Sequence, residues 1–282
     1  MANKTHKNYK KIIYNLIIIF LLSVMVFCAV KIVSYYMQGS KSKDINNSLI
    51  NEYVEFSPSV PEESQSTESA SSSPSQSVTP KPYYQAAVPK SINFKSLKEK
   101  NNEVIGWIFN KNGVINYPVM QTNDNAYYLD HLIDGRKNAN GSIFADFENS
   151  PDFTDYNTFI YGHSMKNGTM FATLLRYRNQ DYYNAYPLFY LYTPNGDYTI
   201  EIFSAYQTTS NDTVYTFCKT KEQFASYLEH LKKSSKIVTD VTVTDTDRVV
   251  VLSTCAYTSD QARFVVIGKL CPVDGENTQS KQ

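Results

Sequence analysis

The sequence predicts a mostly β fold, a mixed or closed barrel decorated with short helices. Three observations predict it. About eight short strand-like runs follow one another after residue 90. The chain holds 23 tyrosines, many of them inside those runs, and aromatic residues suit a pleated, half-buried surface. The runs do not alternate with helices in a βαβ rhythm, which excludes a doubly wound parallel sheet and leaves a barrel or mixed sheet.

Ahead of this domain the composition is different. Residues 12–30 form a nearly apolar run of 19 residues. At about 1.5 Å rise per residue it matches a ~30 Å hydrocarbon core. Lys4, Lys7, Lys10 and Lys11 precede it, and the far flank carries less charge. The positive-inside bias therefore puts the N terminus in the cytoplasm and the rest outside. A cleaved signal peptide has a shorter apolar core and a small-residue cleavage site; the run reads instead as a retained anchor. Residues 34–56 are mixed and suit a short juxtamembrane helix. Residues 57–82 carry ten Ser and five Pro in 26 positions. They have almost nothing to bury and read as an extended spacer.

The expected layout is a cytoplasmic N terminus (1–11), a transmembrane anchor (12–33), a juxtamembrane segment and Ser/Pro-rich linker (34–89), a folded extracellular domain (90–272) and a polar tail (273–282). Truncation of residues 1–89 is expected to leave that domain soluble.

Within the domain, "SINFKSLKEK" reads as a short helix and "EVIGWIF" as a strand starting near Val104. "GVINYPVMQ" is a strand whose Pro118 suggests an edge or end position. "DNAYYLDHLIDG" suits a turn and a short helix, and "GSIFADF" and "NTFIYGH" are short strands. Apolar residues at Met170, Phe171, Leu174, Leu175 and Tyr177 suggest one amphipathic helix. Asn195-Gly196 between two aromatic runs signals a hairpin. "TKEQFASYLEHLKKSS" is the clearest helix. Thr220 and Gln223 have capping-box spacing, and Phe224, Tyr227, Leu228 and Leu231 share one face.

The formal net charge is zero, and neither sign forms long blocks, so nucleic-acid binding has no electrostatic support. The chain has four cysteines and four histidines and no CxxC pair, which disfavours a structural zinc site. No acidic cluster points to calcium, and no motif calls for a cofactor. Cys28 lies in the apolar run. The other three cysteines, Cys218, Cys255 and Cys271, are odd in number, so one stays out of any intramolecular disulfide.

"VVVLSTCAYTSDQARFVVIGKL" holds the candidate chemistry. Residues 249–252 are apolar at successive positions, as in a strand buried on both faces. The short polar connection that follows nearly forces an antiparallel pair. Cys255 and Arg263 then share one end of the sheet. A guanidinium near a thiol favours the thiolate, or an oxyanion formed when that thiolate attacks a carbonyl. The alternative is a core cysteine beside an arginine that caps a strand. A cysteine nucleophile also needs a proton carrier. His6 is cytoplasmic, His230 lies on a helix face and His131 in a polar turn. His163 ends the apolar strand "TFIYGH", after Gly162, which permits a sharp turn. The order His before Cys is the reverse of papain-like proteases. Ala256 stands where a chymotrypsin-like cysteine protease has glycine, and the caspase signature is absent. G-x-S-x-G, H-E-x-x-H and the P-loop are absent too.

"LSTC" followed eight positions later by Arg263, with "NTFIYGHSM" upstream, resembles the sortases, membrane-anchored transpeptidases of Gram-positive bacteria. "EVIGWI", "INYPVMQ", "DNAYYL", "GSIFADF", "TMFATL" and "FSAYQT" extend the likeness in order across the domain. The helical insert at 220–235, before the Cys-bearing strand, and the helical start near 94–100 point to class B. Val251 stands where the family's T-L-x-T-C pattern has threonine.

The resemblance implies an eight-stranded sortase barrel with an N-terminal helix and a helical insert before the Cys-bearing strand. It implies that Cys255 attacks the carbonyl after threonine in an NPxTx-like sorting signal. His163 serves as acid and then base, and Arg263 steadies the oxyanion or the signal backbone. Asn125 is an auxiliary polar group, and Leu129, Ser210, Tyr215, Ser253 and Thr254 line the signal groove. The implied partners are surface proteins with a C-terminal sorting signal and an amine of the lipid-linked peptidoglycan precursor. A pilus-polymerising sortase that uses a pilin lysine, and a surface module without catalysis, are the alternatives.

Overall fold

The computed structural model describes residues 2–56, 83–255 and 261–273. The Ser/Pro-rich stretch 57–82 and the tail from 274 onward lie outside the described residues. The chain divides into two units, Met1–Ile45 and Asn46–Gln282. The first is helix only, part of α1 (Ala2–Tyr53). Its apolar stretch has a mean hydropathy of 3.0 over 18 residues, long and apolar enough to cross a membrane by length and composition.

The second unit is organised around β9 (Val249–Cys255). Val250 and Leu252 point into the barrel, among Ile108, Ile160, Phe264 and Val266. Val249 and Val251 point outward, into a second cluster with Phe159, Val265, Ile267 and the helix residues Phe224, Leu228 and Leu231. The run of successive apolar positions thus has both faces covered, as the sequence predicts.

The other strands are β3 (Val104–Phe109), β4 (Asn116–Met120), β5 (Ile143–Ala145), β6 (Asn157–Tyr161), β7 (Leu188–Thr193), β8 (Gly196–Thr209) and β10 (Ala262–Pro272). With β9 they close an eight-stranded barrel in the order β10-β8-β7-β3-β4-β5-β6-β9. β9 runs antiparallel to β10 and parallel to β6. Closure removes sheet edges, so Pro118 does not lie on one. It precedes the short β4–β5 ladder, whose pairs are Val119 with Ile143 and Met120 with Phe144.

The covering helix α4 (Lys221–Ser234) begins with the expected capping box. The Thr220 side chain accepts from the Gln223 N–H, and the Gln223 side chain accepts from the Thr220 N–H. A turn at Pro194-Asn195 joins β7 to β8, as the Asn-Gly signal implies. The expected single helix over "TMFATLLRYRNQDYYNAY" is two pieces, a 3-10 helix (Ala172–Arg178) and α3 (Gln180–Ala185). Asn179 breaks it: its backbone is extended, and its side chain accepts from the N–H groups of Asp181 and Tyr182, capping the second piece.

The compact unit also reaches further toward the N terminus than residue 90. Leu49 and Tyr53 are buried, and the Asn46 side chain donates to the Asn116 carbonyl at 3.1 Å. β1 (Val54–Phe56) pairs antiparallel with β2 (Pro89–Ile92), next to α2 (Phe94–Lys100). Tyr83 packs edge-on against Tyr182 and Tyr186, and Tyr186 donates to the Tyr84 carbonyl. Described residues on both sides of the Ser/Pro-rich stretch therefore pack into the same unit. A three-residue strand is too short to show a period in sequence.

Two expectations follow. Phe224→Ala empties a fully buried site between α4 and the barrel and should cost about 3–5 kcal/mol in urea melts. A chain starting at Asn46 should be more stable than one starting at Lys90 by about 3 kcal/mol or more, the burial of Leu49 and Tyr53. Equal midpoints would show that this segment adds nothing.

Candidate active site

Strand register brings the three sequence-predicted groups to one place. In the β9–β10 ladder Arg263 is the direct partner of Cys255, and Val265 that of Ser253. In the parallel β6–β9 ladder Tyr161 is the partner of Ser253, and Gly162 N–H donates to the Ser253 carbonyl at 3.2 Å. His163 lies two residues beyond Tyr161, and Cys255 two beyond Ser253. His163 therefore follows the C-terminal end of β6, and Cys255 ends the neighbouring parallel strand β9, both past the last pair of that ladder.

Beside them is a cavity of about 220 Å³. Asn125, Leu129, His163, Ser253, Thr254 and Arg263 line it, all of them singled out in the sequence. Among the described residues Phe144, Tyr161 and Gly162 complete the lining and were not singled out as groove residues. Tyr215 reaches the same wall indirectly, through a 2.7 Å hydrogen bond between its hydroxyl and that of Ser253. Ser210 is not part of the lining; its N–H donates to the Gln261 carbonyl at the end of the β8–β10 ladder.

His163 Nε2 lies 2.7 Å from the Leu129 carbonyl oxygen. A carbonyl only accepts, so Nε2 carries a proton and Nδ1 is the nitrogen that can exchange one. The carbonyl is itself held in place. Leu129 ends a 3-10 turn (Tyr127–Leu129). At its start the Asp124 carboxylate accepts from the N–H groups of Ala126 and Tyr127, both at 2.8 Å. Those bonds hold the Asp124 carboxyl below the usual range. Tyr128 is buried; its hydroxyl donates to Glu103 and accepts from Asn101. Burial, with Glu103 next, raises the Tyr128 phenol well above its ordinary value. Gly141 passes beneath the turn at φ +57, where a Cβ would stand 2.4 Å from the Tyr128 oxygen and 2.6 Å from the Leu129 oxygen.

Gly162 has a packing reason rather than the expected turn. A Cβ there would stand 2.4 Å from Ile143 and 2.8 Å from Phe171. The glycine lets the last residues of β6 lie flat on the core and deliver His163 to the cavity.

The remaining candidates are occupied elsewhere. His131 stacks on Tyr127 and pairs with Asp130. His230 meets Thr213 and Asp212. Cys218 is buried, and burial pushes its thiol up to about 11. Burial, followed by Glu201, raises Cys271 as well. Both therefore rest as thiols near neutral pH, poor nucleophiles beside a cysteine that shares a sheet end with a guanidinium.

A cysteine, an imidazole with Nδ1 exchanging protons and a guanidinium at one end of the barrel can carry acyl transfer at a carbonyl. Gly141→Ala should displace the Leu129 carbonyl and release the ring. The His163 imidazole ¹⁵N shifts would then move from a single Nε2–H tautomer toward a mixture. An unchanged tautomer would show that the carbonyl does not set it.

The sortase-domain family matches residues 110–271. Sortase B of Listeria monocytogenes is 39% identical over 180 residues, covering 62% of this chain and 73% of that protein. The solved Staphylococcus aureus sortase B–substrate complex is 35% identical with a TM-score of 0.61, covering 64% of this chain and 85% of the other. A solved sortase B complexed with triglycine is 35% identical at the same TM-score, 0.61, covering 64% and 86%. The barrel fold, the family match and the relatives agree, and the chain belongs to the sortases, cysteine transpeptidases, in their class B.

Proposed function

We propose that this transpeptidase works outside the membrane, held by its N-terminal helix, and joins exported proteins bearing an NPxTx-like signal to an amine of the peptidoglycan precursor. The observation that carries the assignment of roles is the register that pairs Arg263 with Cys255, together with a cavity that His163 and Arg263 both line. The relatives solved with substrate and with triglycine support a peptide signal and an amine as the two reactants. The lysine-rich flank before the apolar helix supports an inward N terminus.

The Cys255 thiolate attacks the carbonyl carbon after threonine, and the electron pair moves onto oxygen. The Arg263 guanidinium, always charged, stabilises that oxyanion. As the carbonyl re-forms, the C–N bond breaks and the leaving amine takes the proton from His163 Nδ1. A thioester remains. The incoming amine gives a proton to Nδ1 and attacks the thioester, and collapse expels the thiolate. The Leu129 carbonyl keeps Nε2 protonated throughout, so both transfers use the same nitrogen. Asn125 contributes a polar group to the cavity lining, and Ser253, Thr254, Leu129 and Tyr215 shape the groove for the signal.

The test uses the full chain in detergent with a panel of quenched NPxTx peptides. Wild type should cleave at least one of them and, given triglycine, form the amide product. Cys255→Ala should abolish cleavage with an unchanged melting temperature. Arg263→Lys keeps the charge but loses the planar fork and should cost roughly 10²-fold in kcat/KM. Equal cleavage by wild type and Cys255→Ala would sink the assignment. Near-normal rates in Arg263→Lys would remove the planar fork from it.

A further inference from the structure

We propose that Asp146 is a positioning residue for the reaction, acting through Asn125. Asp146 follows β5 in the segment "GSIFADF" and is only 4% exposed. A buried carboxylate is tolerated only when donors surround it, and three do. Its Oδ2 accepts from Asn125 Nδ2 at 2.9 Å and from the Tyr161 hydroxyl at 2.8 Å. Its Oδ1 accepts from the Glu148 N–H at 3.0 Å. The backbone is anchored too: Asp146 N–H donates to the Phe159 carbonyl, and Gln121 donates to the Asp146 carbonyl.

Two consequences follow for the cavity wall. An ionised carboxylate accepts and cannot donate. It therefore fixes which end of the Asn125 amide faces it, and the Asn125 oxygen is left to accept from the Phe147 N–H at 3.1 Å. Both ends of the amide are specified, and only its second N–H and remaining lone pair are left for a reactant. The Tyr161 hydroxyl is committed in the same way. Burial, then Asp146, raises its pKa above the ordinary phenol value. The Tyr161 hydroxyl is thus turned to Asp146, and the neighbouring Asn125 amide is a polar group of the lining. Charge-assisted hydrogen bonds of this kind are the stronger class, which suits a residue whose task is alignment.

This inference rests on the sortase reading for its kinetic test, so a second readout is independent of substrate. In the full chain in detergent, Asp146→Asn should lower kcat for peptide cleavage about 10-fold with KM within about twofold, as expected for misalignment. In an Asn125→Ala background the same substitution should change kcat by less than about twofold, because the group it aligns is gone. Equal losses in both backgrounds, or a loss that follows the folded fraction, would reduce Asp146 to a structural role and overturn the proposal. If Asp146→Asn does not fold, Asp146→Glu takes its place in the cycle. By NMR, the Asn125 side-chain amide hydrogens should exchange at least about tenfold faster with water in the Asp146 variant than in wild type. An unchanged exchange rate would overturn the proposal whether or not any peptide is cleaved.

Discussion

The two-sided burial of β9 is the constraint on which the site depends. Val250 and Leu252 are held in the barrel while Val249 and Val251 are held under α4. A strand buried on one face can slip by two residues and keep its pattern. One clamped on both faces, between parallel β6 and antiparallel β10, has its register specified from every side. That register sets Cys255 against Arg263, at the end of the barrel where β6 delivers His163. The barrel and its covering helix thus act as a jig, and the reactive groups are placed by apolar packing some distance from the chemistry.

The parts legible in the sequence were those carried by periodicity or by a side chain of distinctive chemistry. The successive valines gave away two-sided burial, Thr220 and Gln223 the helix start, and Asn195-Gly196 the hairpin. Cys255, Arg263 and His163 stood out because each is a reactive or permanently charged group at the end of an apolar run. The illegible parts act through backbone or through distance. The carbonyl that holds His163 belongs to Leu129, and any residue type supplies a carbonyl. Asp146 sat inside a quoted segment, yet its importance comes from partners at Asn125 and Tyr161, far apart in sequence. The β1–β2 pairing joins segments separated by a Ser/Pro-rich stretch, with too few residues on either strand to show a pattern. Asn179 ended a helix because its side chain capped the next one, a choice that apolar spacing cannot reveal.

Family membership and local geometry divide the explanation between them. The sortase relatives fix the class of reaction, and the geometry explains how these residues serve it. A thioester must outlast contact with water until an amine arrives, so the reacting groups belong in a recess rather than on a flat surface. Here the recess is narrow, walled by Phe144, Tyr161 and Leu129, with polar groups at set positions. Its imidazole is oriented by a backbone carbonyl instead of the side-chain carboxylate of a Ser-His-Asp triad. A carbonyl fixes the tautomer without adding a negative charge that would compete with a thiolate for Arg263.

The central claim is that Cys255 carries the acyl group. Intact-mass spectrometry of the full chain after rapid mixing with a cleavable peptide, quenched in acid, tests it most directly. The account predicts a transient adduct equal to the N-terminal peptide fragment, mapped to Cys255, released by hydroxylamine and absent from Cys255→Ala. Peptide turnover without such an adduct, or an adduct that persists in Cys255→Ala, would contradict it.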